Sequence, residues 1–119
     1  MFYITKEVTF DAAHNLTSYH GKCEKLHGHT YRLQVTIKGE PDEEGMVIDF
    51  AELKKVIKEK ILDKLDHSYI NDLIPQPTAE YIARWIFDEL EPLVKTDKRK
   101  LFEIVLWETP TSFVRYRKE

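Results

Sequence analysis

The sequence carries a single cysteine, so no disulfide can form within one chain, and a lone thiol suits a reducing compartment. It has no excess of positive charge. Its 18 Lys and Arg stand against 21 Asp and Glu, a formal net charge of −3, which leaves nothing to hold a nucleic-acid backbone. No apolar run approaches the length of a membrane-spanning helix. The opening Met1-Phe-Tyr-Ile-Thr-Lys-Glu7 lacks the basic-then-apolar pattern of a secretion signal. No repeat, low-complexity stretch or linker divides the 119 residues, which fit one domain over 1–119 and leave no room for two. These absences argue against nucleic acid and membrane as partners and lead to the expectation of a cytoplasmic globular domain.

What is present is regular patterning. Phe2, Ile4, Val8 and Phe10 alternate with Tyr3, Thr5, Glu7 and Thr9, which predicts a strand. A polar, histidine-rich loop runs to about Lys25. A second strand then puts Tyr31, Leu33, Val35 and Ile37 on one face and Arg32, Gln34, Thr36 and Lys38 on the other. Asp49 opens a helix, with Glu52 three residues on as a capping-box partner. Its apolar stripe is Phe50, Leu53, Val56, Ile57, Ile61 and Leu65. Residues 65–72 break the period and read as a loop. Thr78, after Pro75 and Pro77, caps a second helix carrying Ile82, Trp85, Ile86, Leu90 and Leu93. Leu101–Glu108 and Ser112–Arg117 form a last strand pair around Thr109-Pro-Thr111. The expected fold is α+β: a β-β-α-α-β-β antiparallel sheet with two helices on one face. Such a sheet has two open edges, which pairing between subunits would cover.

Three histidines converge on this layout. His27 and His29 are two apart at the entry to a strand, so both rings project from one face, and Gly28 between them lets backbone pass close to a ligand. His14 sits just past the first strand, beside two alanines. Three imidazoles and an open position make a catalytic zinc arrangement, while a His-x-His pair can also be two polar strand residues. Cys23 lies between Lys22 and Lys25, where a thiolate is favoured. Asp66-His67 could supply a proton-transfer group with a carboxylate beside it. Glu108 continues the face of Phe102, Ile104 and Leu106; it either ends the strand at solvent or meets a ligand with paired N–H donors.

Six segments carry a family resemblance: Phe10-Asp-Ala-Ala-His14, Cys23-Glu-Lys-Leu-His-Gly-His29, Gly45-Met-Val-Ile-Asp-Phe50, Leu65-Asp-His67 with Asn71, Pro77-Thr-Ala-Glu80 and Trp107-Glu-Thr109. In this order they resemble the 6-pyruvoyltetrahydropterin and 6-carboxytetrahydropterin synthases. Three residues between the cysteine and His-Gly-His resemble the carboxy-type enzymes. The resemblance implies a T-fold, whose subunits join their sheets into a trimeric barrel and stack as a homo-hexamer with sites between subunits. It implies zinc on His14, His27 and His29, Glu108 as anchor for the pterin, and Cys23 as base with Asp66 and His67 as proton-transfer partners. The implied activity is that of a lyase. It converts 7,8-dihydroneopterin triphosphate to 6-carboxy-5,6,7,8-tetrahydropterin, acetaldehyde and triphosphate, towards 7-deazaguanine (queuosine or archaeosine) biosynthesis.

The sequence departs from the family at Tyr81, where many relatives have Asn. Glu24 also completes Glu-x-x-His-Gly-His, the pattern of relatives that make 6-hydroxymethyl-7,8-dihydropterin, and is a possible second catalytic acid or base. Lys22, Lys25 and Arg115 are candidates for the triphosphate. A 6-pyruvoyltetrahydropterin synthase, or a non-catalytic metal-binding barrel subunit, are the other readings.

Overall fold

Alternation lays out the two longest strands. In a computed structural model describing residues 1–119, β1 (Phe2–His14) and β2 (His27–Gly39) pair antiparallel over their whole lengths, from Phe2↔Gly39 to His14↔His27. The inner face of β2 is Tyr31, Leu33, Val35 and Ile37, all fully buried. A first helical rod follows as α1 (Phe50–Ile57), a π-helical stretch (Lys58–Leu62) and the single turn α2 (Asp63–Leu65). Then come β3 (Ser68–Tyr69), a 3₁₀ turn (Ile70–Asp72), α3 (Ala79–Val94), β4 (Arg99–Thr109) and β5 (Ser112–Tyr116). The sheet order is β3-β1-β2-β4-β5.

The helices cover one face and close a core of 23 buried residues, among them Phe10, Leu33, Leu53, Ile82, Ile86 and Ile104. Each fully buried aliphatic side chain contributes about 1.5–3 kcal/mol. The capping signals are where the sequence puts them. The Asp49 carboxylate accepts from Ala51 N–H and the Thr78 hydroxyl from Tyr81 N–H. Glu52 does not complete the capping box: its carboxylate binds Arg99 at 3.0 Å. Arg99 Nε also donates to Val94 O, a terminal carbonyl of α3, and Nη1 to Val47 O in the loop before α1, which ties both helices to β4. Gly39 allows the chains to close at this end, because a Cβ there would meet Lys98 O at 2.6 Å.

Four expectations need correction. The sheet is mixed, not purely antiparallel, because β3 pairs parallel with Ala12–Ala13. Phe50 and Leu93 are exposed, as is Phe2 on the first strand, so the apolar stripes are narrower than the periodicity suggests. Phe102 does not share the face of Ile104. The β2–β4 register slips there, Thr36 facing Glu103 and Ile37 facing Leu101, so Leu101 turns inward while Phe102 packs edge-on against Tyr3. Glu108 is also skipped by its neighbour strand: Trp107 pairs with Phe113 and Thr109 with Ser112. A bulge at this position re-aims its side chain.

Candidate functional site

Register brings the three histidines together. His14 ends β1 directly opposite His27, and His29 is opposite Ala12, all on the helix-facing side. Their ring centroids lie 4.6 to 5.2 Å apart, and one nitrogen of each falls within 4.8 Å of the others. Backbone carbonyls aim two of the rings: His14 Nδ1 donates to Pro77 O at 2.8 Å and His27 Nδ1 to Lys25 O at 2.9 Å. Those bonds place the proton on Nδ1 and leave the Nε2 lone pairs free. His14 Nε2 and His29 Nε2 are buried without a hydrogen-bond partner. Burial holds the His29 imidazole below its ordinary range, with Glu108 opposing and the other two histidines adding to the shift.

Glu108 stands beside this cluster, its Oε1 3.3 Å from His29 Nε2 though not aligned as a hydrogen bond. It lines a groove of about 470 Å³ with His29, Thr30, Arg32, Trp107 and Thr109. The Arg32 guanidinium lies 4.3 Å over the Trp107 ring. A second groove, of about 520 Å³, adjoins it along Gly28, His29 and Thr30 and contains Asp11 and His67. Gly28 borders both grooves. A Cβ there would meet only Ala12 O at an ordinary 3.5 Å, so the protein's own packing does not require glycine at this position.

Asp66 and His67 face each other despite being adjacent, because His67 takes a left-handed conformation (φ 58°). Asp66 Oδ1 accepts from Asp11 N–H at 3.0 Å and lies 3.1 Å from His67 Nδ1. Its carboxyl is held below the usual range, first by the Asp11 N–H and then by His67. Cys23 stands apart from both. Its thiol is exposed, donates to Thr17 O at 3.5 Å and lines neither groove. Glu24 is turned the other way: its carboxylate accepts from Leu16 N–H at 3.1 Å and lies 3.9 Å from His27 Nδ1.

A family profile described as 6-pyruvoyl tetrahydropterin synthase matches residues 3–119. A 6-carboxy-5,6,7,8-tetrahydropterin synthase of Haemophilus influenzae is 42% identical over 98% of this chain and 99% of that protein. One of Synechocystis is 41% identical over 98% and 93%. The solved structure of Caenorhabditis elegans 6-pyruvoyl tetrahydropterin synthase superposes with a TM-score of 0.82 at 29% identity, covering 99% of this chain and 96% of that one. The chain belongs to the 6-pyruvoyl tetrahydropterin synthase family.

As a member of this family it is an enzyme of the tetrahydropterin synthase type with a T-fold. Its histidine site fits a metal ion on the chemistry of the donors: two orphaned buried nitrogens, with the outward nitrogens of His14 and His27 bound to carbonyls. Tyr81 lies away from the histidines, exposed, under the Arg84 guanidinium at 4.6 Å. Arg115 sits over Phe113 at 5.2 Å, on the strand beyond Trp107.

Sequence reasoning passed over Tyr31. Its hydroxyl is buried without a partner, and its ring meets His29 and His14 edge-on at 5.6 and 6.1 Å. Burial, then the charges of Glu108 and Glu24, push this phenol up, which keeps it a protonated donor. The signal was its position two residues after His29, on the same strand face. Asp11 was also missed as the backbone clamp for Asp66 and His67, and nothing in an exposed strand position announces that role.

Proposed function

We propose that this chain is a zinc-dependent 6-carboxy-5,6,7,8-tetrahydropterin synthase. It would convert 7,8-dihydroneopterin triphosphate to 6-carboxytetrahydropterin, acetaldehyde and triphosphate for 7-deazaguanine biosynthesis in the cytoplasm. The observation that carries the reading is the histidine cluster, with unpartnered inward nitrogens, in a chain so similar to synthases of that name. His14, His27 and His29 would hold zinc, which when bound acidifies the substrate's side-chain hydroxyls. Glu108 accepts two N–H bonds from the pterin and fixes its orientation. Cys23 takes a substrate proton as base, and His67, oriented by Asp66, carries a proton in the other half of the reaction.

Cys23 lines neither groove of its own chain, and in this reading the working site would be assembled between subunits. Two open edges support that assembly. On its outer side β1 pairs with β3 at Ala12–Ala13 and its Asp11 backbone is taken by Asp66 and His67, which leaves the edge from Phe2 to Phe10 free, and β5 is the other edge of the sheet. Joining these edges head to tail gives a trimeric barrel, and two stacked barrels a hexamer. Sedimentation at micromolar concentration should give the hexamer or at least the trimer; a monomer overturns the shared site.

One observation favours a second product. Glu24 lies against His27 and its charge reaches His29 and Tyr31, whereas the Cys23 thiol is turned to Thr17. In that reading Glu24 serves as acid or base and releases 6-hydroxymethyl-7,8-dihydropterin. Product analysis with dihydroneopterin triphosphate decides. The first reading requires carboxytetrahydropterin from the wild type and none from Cys23→Ala. A mainly hydroxymethyl product that is lost in Glu24→Ala establishes the second.

A further inference from the structure

The chain leaving β1 is pinned residue by residue. His14 Nδ1 donates to Pro77 O at 2.8 Å. Asn15 N–H donates to Asn71 Oδ1 at 3.1 Å, and Asn71 Nδ2 donates back to Asn15 O at 2.8 Å. Leu16 exchanges bonds with Glu24, its N–H to the carboxylate and its carbonyl to Glu24 N–H. Thr17 and Ser18 are held by one side chain, Gln76. Its Oε1 accepts from Thr17 N–H at 2.8 Å, Thr17 Oγ1 at 2.8 Å and Ser18 N–H at 3.1 Å, and its Nε2 donates to Ser18 O at 2.8 Å.

The Gln76 amide thus does for a loop what a neighbouring strand does for an edge: it fills donors and acceptors in sequence. It is itself restrained, since Pro75 and Pro77 flank it and the residue before a proline is confined to extended backbone. Thr17 is also the residue whose carbonyl takes the Cys23 thiol. One short strap, Pro75–Thr78, therefore orients a histidine of the metal site through Pro77 O, seats the cysteine loop through Gln76, and caps α3 through Thr78.

We propose that Gln76 is a positioning residue for Cys23, acting through Thr17 and not on substrate. The inference rests on the reading of Cys23 as the base, but the alkylation arm of its test does not. Cys23 is the sole thiol, so alkylation by iodoacetamide reports its setting whatever the product. In the zinc-loaded oligomer, Gln76→Ala should keep its metal, because Pro77 O is backbone. Alkylation at fixed pH should speed up at least about threefold, kcat should fall about tenfold or more, and KM should stay within about twofold, the split expected when a reacting group is misplaced and not lost. Gln76→Glu keeps an acceptor for the three donors but sets a carboxylate oxygen against Ser18 O in place of the Nε2 donor, so it should fall between Gln76→Ala and wild type in both readouts.

Unchanged alkylation in Gln76→Ala overturns the proposal, as does an unchanged kcat where Cys23→Ala is inactive. So does a loss of kcat that only tracks lost zinc or lost folded protein. Should Gln76→Ala fail to fold, Gln76→Asn, an amide one methylene too short to reach Thr17, is held to the same criteria. If Cys23→Ala keeps full synthesis while Gln76→Ala still speeds alkylation, the base assignment fails and the positioning of Cys23 stands.

Discussion

The helix-covered middle of the sheet and its histidine end are held by different forces. Around Leu33, Ile82 and Ile104 the structure is apolar burial, non-directional and shared among many neighbours. Around His14, Asn15, Thr17 and Asp66 it is single hydrogen bonds between a side chain and a distant backbone group. Burial of the first kind tolerates changes of shape within limits, because no one contact is indispensable. The second kind places atoms to within tenths of an ångström and fails one bond at a time. A fold can therefore be insensitive where it is strongest and exacting where it is chemical.

Paired substitutions put that contrast to its hardest test. His27→Ala should abolish both metal binding and turnover, because two imidazoles do not complete the site. In the presence of a chelator, its denaturation midpoint should stay near that of metal-free wild type. Leu33→Ala, at a fully buried position, should do the opposite. It should cost about 2–5 kcal/mol in urea unfolding while the folded protein still binds one metal per chain. Full metal occupancy in His27→Ala would dissolve the ligand set, and an equal stability loss in both variants would dissolve the division itself.

Glu108 lies on the boundary, a strand residue re-aimed by a bulge into the histidine end. If it serves as the pterin anchor, Glu108→Gln replaces an acceptor-only carboxylate by an amide that presents a donor to a donor. Hydrogen bonds to a charged group are worth about 1.5–3 kcal/mol, so affinity for a pterin analogue should fall about tenfold to a hundredfold. Calorimetric titration measures it, with zinc content as the control. Unchanged affinity returns Glu108 to an ordinary strand end.

The same division explains what could be read from the sequence. Burial has periodicity, so β1, β2 and the α3 core were legible, and the caps Asp49 and Thr78 were legible because their bonds are local. The His27–His29 pair was legible because alternation alone puts both on one face, while His14 joins it through the β1–β2 register. What escaped depended on single events with no period. A bulge turned Phe102 outward, and a two-residue strand, β3, joined the sheet in parallel. A left-handed His67 made two adjacent side chains face each other. Gln76 could not be read at all, since its partners lie 58 and 59 residues away and it carries no pattern of its own.

The smallest effect concerns Asp66, whose carboxylate is fixed by the Asp11 N–H and flanked by His67. Its carboxyl titrates below the ordinary range in the folded chain, so the folded state binds fewer protons than the unfolded one as the pH falls through that range. Its contribution is therefore complete above the ordinary carboxylate value, about 4, and is lost as pH falls through the lower folded value. Asp66→Asn keeps an acceptor for Asp11 N–H but carries no charge at any pH. The wild type should hold a small advantage in urea midpoint at pH 5, and the two curves should converge towards pH 3. The side chain is partly exposed, so solvent screening keeps the advantage small. Turnover should respond far more, through the loss of the partner that orients His67. A stability gap that widens on acidification would mean that the Asp66 charge is a burden at the histidine end and not one of its fasteners.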